Sequence, residues 1–160
     1  MNRVDLILEH PKYQEYLDKI KQAEEKRIFC LHNMNHFLDV ARIAYIMNLE
    51  EELGIAKEII YATALLHDIG RFIQYEDGTP HEKASAELAE ELLQETGFGK
   101  KEQKEILRAI REHRNKEMAE EKSLAGIIYR ADKASRACFA CEAEQQCDWD
   151  RTKKNMRVKY

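Results

Sequence analysis

Ile60-Tyr61-Ala62-Thr63-Ala64-Leu65-Leu66-His67-Asp68-Ile69-Gly70-Arg71 is an apolar stretch that ends on a histidine beside an aspartate. Its pattern predicts a centrally placed helix over residues 55–71, with Ile60, Thr63 and Ala64 on the face that His67 extends. An imidazole on an inward face needs a partner, because a buried polar group without one is costly. A metal ion is an effective partner.

The same pattern recurs along the chain. His36 leads Val40, Ile43 and Met47 at helical spacing, and His81 leads Ala84, Leu88 and Leu92. His113 closes the stripe of Ile106, Ala109 and Ile110, and Asp132 continues Leu124 and Ile128. One such histidine is more often a hydrogen-bonded core residue than a ligand. Five metal-binding side chains on five separate apolar faces point instead to a shared site.

Composition frames that site. A chain of 160 residues fits one domain, 1–160, with a real core. Only six glycines and two prolines favour an all-α chain, a compact bundle of about six to seven helices. The formal charge of −4 argues against a nucleic-acid polymer as partner, although a local basic pocket remains compatible with it. No apolar run approaches the roughly 18 residues of a membrane span, and Met1-Asn2-Arg3-Val4-Asp5 does not open a secretory signal. The expectation is a cytoplasmic protein without a membrane partner.

Residues 6–27 read as one or two helical pieces, the second opened by Pro11. Their apolar positions Leu6, Tyr13, Tyr16, Leu17 and Ile20 suit packing on the core or on a second copy in a homo-oligomer. Residues 35–53 form an amphipathic helix stopped by Gly54, and 76–80 are the clearest loop. Thr79 as N-cap, Pro80 and Glu82 would make a capping box. That places His81 in a first helical turn, where the positive helix end favours the neutral ring a metal needs. Gly97-Phe98-Gly99 ends this helix, residues 100–115 form the next, and Ser123 caps a helix over 124–143.

The runs His36-Phe37-Leu38-Asp39-Val40-Ala41-Arg42, Leu65-Leu66-His67-Asp68-Ile69-Gly70-Arg71 and Arg130-Ala131-Asp132-Lys133 resemble the HD superfamily of metal-dependent phosphohydrolases. The resemblance covers residues 30–135; residues 136–160 are a cysteine-containing helix end and tail. It implies an HD-domain-like helical fold with its metal site in the core, held by His36, His67, Asp68 and Asp132. His81 and His113 resemble the additional pair of the binuclear members. Two imidazoles and two carboxylates suit Fe, Mn, Zn or Co better than an all-oxygen Mg site. Asp68 has two oxygens with which to bridge two such divalent ions. Metals about 3.5–4 Å apart can share a hydroxide that attacks phosphorus, so no side-chain nucleophile is needed. The expected reaction is cleavage of a phosphate ester or anhydride of a nucleotide or other small phosphorylated metabolite. Two other readings stay open: a mixed-valent di-iron oxygenase with the same ligands, and a non-catalytic ligand-sensing module.

Around Asp68, Arg71 falls on the same helical face and is a candidate for binding a phosphate oxygen, or for supporting Asp68. His32, four residues before His36, is a candidate general acid or substrate-orienting group against a structural alternative. Lys83 and Lys133 are candidate substrate contacts, each with the plainer reading of a solvated lysine. Cys138, Cys141 and Cys147, with Cys30, form a candidate second, structural metal site. Free thiols behaving as small buried hydrophobes are the plainer alternative.

Overall fold

The computed structural model describes all 160 residues. It contains α1 (Asn2–Glu9), α2 (Pro11–Ala23), α3 (Met34–Glu50), α4 (Lys57–Leu66), α5 (Arg71–Asp77), α6 (His81–Glu95), α7 (Lys100–Glu112) and α8 (Leu124–Ala134). Short 3-10 turns occupy Lys116–Glu120, Cys138–Ala140 and Glu144–Gln146, and there is no strand. The fold is all-α, as composition predicts.

Local chemistry sets most boundaries. Extended backbone at His10 separates α1 from α2, whose first residue is Pro11, and the His10 ring accepts the Lys12 N–H. Asn33 caps α3 by accepting the His36 N–H at 3.1 Å, and Ser123 caps α8 by accepting the Gly126 N–H at 3.2 Å. Between α3 and α4 the buried Asn48 amide bonds both the N–H and the carbonyl of Ile55. Tyr13 and Ile20 of α2 are buried within the chain, Tyr13 donating to the Leu65 carbonyl, whereas Leu6 stays exposed.

The helix expected over 55–71 is broken. It ends at Leu66, His67 to Gly70 form a turn, and α5 starts at Arg71, which raises the helix count above the six or seven expected. The cause is a long-range contact. The Gly70 N–H leaves the helical ladder to donate to Ser85 Oγ of α6 at 2.9 Å. A Cβ at residue 70 would lie 2.4 Å from the Ser85 nitrogen, so only glycine lets the turn sit this close to α6.

Two further expectations are corrected. Thr79 is not the cap of α6: α5 runs on to Asp77, Gly78 closes it with φ +82, and the Thr79 N–H is taken by Asp77. Pro80 precedes the helix, whose first residue is still His81. α8 stops at Ala134, not near 143, because the Asn155 amide donates to the Lys133 carbonyl at 2.6 Å and occupies the acceptor a continuing helix would need.

The core lies where α3, α4 and α8 meet, with α7 and α6 beyond. Phe37, Val40 and Ala44 of α3 pack with Ile60, Leu65, Ile110, Ile127 and Ile128. These are the stripes that carry His36, His67, His113 and Asp132, so the same apolar burial that holds the bundle together brings its polar residues to one place. No helix is long and apolar enough to cross a membrane.

Candidate metal centre

Asp68 is 2% exposed and is the hub of the site. Its Oδ1 lies 3.0 Å from His81 Nε2 and 3.5 Å from His113 Nε2, and its Oδ2 lies 3.2 Å from His67 Nε2 and 3.6 Å from His36 Nε2. Asp132 Oδ1 completes the second side, 3.5 Å from His36 and 3.9 Å from His67. The donor atoms thus form two groups that share Asp68: His36, His67, Asp68 and Asp132, and Asp68, His81 and His113. Asp68 faces inward because the chain turns at His67; on an uninterrupted helix it would lie off that face.

Each of the four rings is held at Nδ1. His67 donates to the Ala64 carbonyl and His113 to the Ile110 carbonyl, both at 2.6 Å. His81 meets Gln74 Oε1, and His36 meets Ser135 Oγ, whose own proton goes to the Asp132 carbonyl. These bonds turn each Nε2 toward the site, the arrangement of metal-bound histidines. The Nε2 atoms of His81 and His113 then face each other at 3.2 Å, with Asp68 Oδ1 beside them. With Nδ1 protonated on both rings these are three acceptors without a donor, a conflict that a cation between them would resolve. Buried His67 Nε2 and Asp68 Oδ1 also lack a hydrogen-bond partner. The donor set fits divalent transition metals.

Charge is distributed accordingly. Burial would raise the Asp68 carboxyl, but the His67 charge and the surrounding imidazoles hold it well below the ordinary range. Burial pushes His36 down to about 4 and also lowers His81. At His67 burial acts the same way, but Asp68 and Asp132 outweigh it and raise the ring to about 10. The metal-free site therefore keeps a proton on His67 at neutral pH, and a ligating Nε2 must give it up. Metal uptake should release about one proton per chain and strengthen about tenfold per pH unit below that value. Calorimetric titration with Mn²⁺ at neutral pH, in buffers of different ionisation enthalpy, measures this; release near zero would contradict it.

The remaining candidates fall in different places. Arg71 lines the cavity above the site, its Nη1 2.9 Å from His81 Nδ1 and its Nη2 3.0 Å from the Tyr75 hydroxyl. It does so from the start of α5, not from the continued helix the sequence suggests. His32 is buried on the same wall, with Nε2 3.7 Å from Asp68 Oδ2. Lys133 lines the cavity but is anchored, donating to the His113 carbonyl at 3.0 Å and to Asp132 Oδ2 at 3.1 Å. Lys83 is exposed on the outer face of α6 and lies off the cavity, so the structure does not place it against substrate.

All four cysteines are free and all line this cavity, but no three of them bring their sulfurs within 4.8 Å of one another. The four-cysteine site is therefore not assembled. With α8 ended at Ala134, Cys138, Cys141 and Cys147 ride on 3-10 turns and connections instead of one helix face.

Sequence reasoning missed Arg136 and Glu24. Arg136 Nη2 lies 3.2 Å from His36 Nε2 and 3.6 Å from Asp132 Oδ1, so its bond to His36 and a bound ion exclude each other. The signal was its spacing of four from Asp132, although α8 ends before Arg136. Glu24 is buried beneath His32 and Tyr75.

The cavity measures about 1260 Å³ and is open to solvent. Lysines and arginines outnumber carboxylates on its wall, although the whole chain carries −4. Such a wall draws in anions. If the two donor groups each hold one ion, His81→Ala combined with His113→Ala lowers the metal content from about two per chain to about one. Elemental analysis of the double variant checks it, and an unchanged content would contradict the second group.

Comparison with known proteins adds four findings. A family model described as HD domain matches residues 33–137. An uncharacterized protein from Clostridium beijerinckii is 47% identical over the full length of both chains. Ribonuclease Y from Oleidesulfovibrio alaskensis is 28% identical over 80% of this chain, which spans only 22% of that protein. The crystal structure of a predicted HD superfamily hydrolase from an uncultured Thermotogales bacterium superimposes with a TM-score of 0.62, at 27% identity over 98% of this chain and 88% of that one.

Proposed function

The chain belongs to the HD-domain family, and from that premise we propose that it is a metal-dependent phosphohydrolase cleaving a phosphate ester or anhydride of a nucleotide or other small phosphorylated metabolite. One observation carries the reading. The two oxygens of buried Asp68 face two separate sets of imidazole Nε2 atoms, the arrangement expected of a carboxylate shared by two cations. Divalent cations held there would supply Lewis acidity toward a phosphate oxygen and bring the pKa of water close to neutral.

The side chains contribute the rest. His36, His67 and Asp132 would hold one cation and His81 and His113 the other, with Asp68 common to both. Once His81 donates its Nδ1 proton to Gln74, Nη1 of Arg71 loses its acceptor and becomes available to a phosphate oxygen. The cationic wall supports an anionic substrate. Free thiols and the absence of a spanning helix are compatible with work in the cytoplasm. The likeness to part of ribonuclease Y supports adding phosphodiesters to the substrates tested.

The test is phosphate release from a panel of mononucleotides, dinucleotides, cyclic dinucleotides and sugar phosphates by protein loaded with manganese under anaerobic conditions. Turnover with manganese and without O₂ supports hydrolysis. Chemistry that requires both iron and O₂ would contradict it.

A further inference from the structure

Only two acidic side chains are buried in this chain, Asp68 and Glu24. Glu24 lies outside both donor groups, at the C-terminal end of α2, and it gathers three donors. Its Oε2 accepts the His32 backbone N–H at 2.8 Å, and its Oε1 accepts both the His32 ring N–H at Nδ1 and the Tyr75 hydroxyl, the latter at 2.8 Å. Tyr75 in turn accepts from Arg71 Nη2. Burial would raise the Glu24 carboxyl, but the bonds from His32 outweigh it and hold the group at about 2, so it stays ionised.

Both chains of contacts end on the cavity wall, at His32 and at Arg71. With Nδ1–H committed to a carboxylate, His32 turns a bare Nε2 toward the cavity beside Asp68 Oδ2. It lies outside the four donors that fit a single ion, so it faces the space beside the metal site. We propose that Glu24 is a positioning residue for the phosphate-binding side of this site, fixing His32 as an acceptor for the attacking water and, through Tyr75, aiming Arg71 as a donor to the phosphate. The proposal rests on the hydrolytic reading. A carboxylate suits the role because it both orients an imidazole and raises the basicity of its free nitrogen. A purely structural clasp would not need to end on two cavity residues.

Zinc-loaded protein, long-range ¹H–¹⁵N correlation spectra and inorganic phosphate binding test it, alongside kinetics. In the wild type His32 carries its proton on Nδ1. Glu24→Gln cannot accept all three donors, so the tautomer signature of His32 changes and kcat falls about 10- to 100-fold while metal content stays the same. Tyr75→Phe, a change at an exposed ring, leaves the tautomer intact and weakens inorganic phosphate binding roughly fivefold. The proposal is overturned if Glu24→Gln alters neither tautomer nor kcat, if its loss of kcat follows a loss of metal, or if Tyr75→Phe binds phosphate as the wild type does. A wild type that binds metal and phosphate but hydrolyses nothing would defeat the hydrolytic reading instead, and the spectra and phosphate affinities would still decide what Glu24 does.

Discussion

On the proposed function, Asp68→Asn is expected to hold neither cation and to lower phosphate-ester turnover to background. The amide keeps the shape of the carboxylate but has one weak ligand oxygen and an NH₂ group with no lone pair free for a cation. Each oxygen of Asp68 serves a different pair of histidines, at 3.0 and 3.5 Å on one side and 3.2 and 3.6 Å on the other. Removing the charge therefore disables both groups at once, whereas Asp132→Asn touches only the group that includes His36 and His67. Elemental analysis and phosphate release on folded variants measure the difference. Asp68→Asn with metal and turnover retained would place the chemistry elsewhere.

Gly70→Ala is expected to be strongly destabilising. The new Cβ would sit 2.4 Å from the Ser85 nitrogen and 2.7 Å from the Ala84 carbonyl carbon, both backbone atoms of α6 that cannot swing aside like a side chain. Relief requires α6 to move away from the turn, and with it the hydrogen bond from Gly70 to Ser85 Oγ and the His81 end of the helix. Overpacking against backbone falls at the upper end of the usual range, about 3 kcal/mol. For a chain of this size that lowers Tm by about 6–12 °C. Thermal unfolding of the metal-free protein checks it; a change within about 0.5 kcal/mol, typical of a neutral surface substitution, would contradict the close approach.

What the sequence made legible follows from where the governing forces act. His36, His81, His113 and Asp132 continue apolar stripes, and burial of those stripes is a property of each helix alone. The inward turn of Asp68 was not legible this way, because it depends on Gly70 leaving its helix to bond Ser85 fifteen residues later. The early end of α8 depends likewise on Asn155, and with it the dispersal of the cysteines. Glu24 was within reach: it follows Tyr13, Leu17 and Ile20 by eleven, seven and four, so it extends the buried face of α2 as the histidines extend theirs. Its charge made it look like surface. Lys83, two residues after His81, shows the converse, since proximity in sequence to a ligand placed it on the opposite side of the helix.

The central proposal is that Asp68 would be shared by two cations. Anomalous diffraction from crystals of the manganese-loaded protein tests it most directly. Two peaks about 3.5–4 Å apart are predicted, one between Asp68, His36, His67 and Asp132 and the other between Asp68, His81 and His113. A single peak away from Asp68, or none under saturating manganese, would contradict the account.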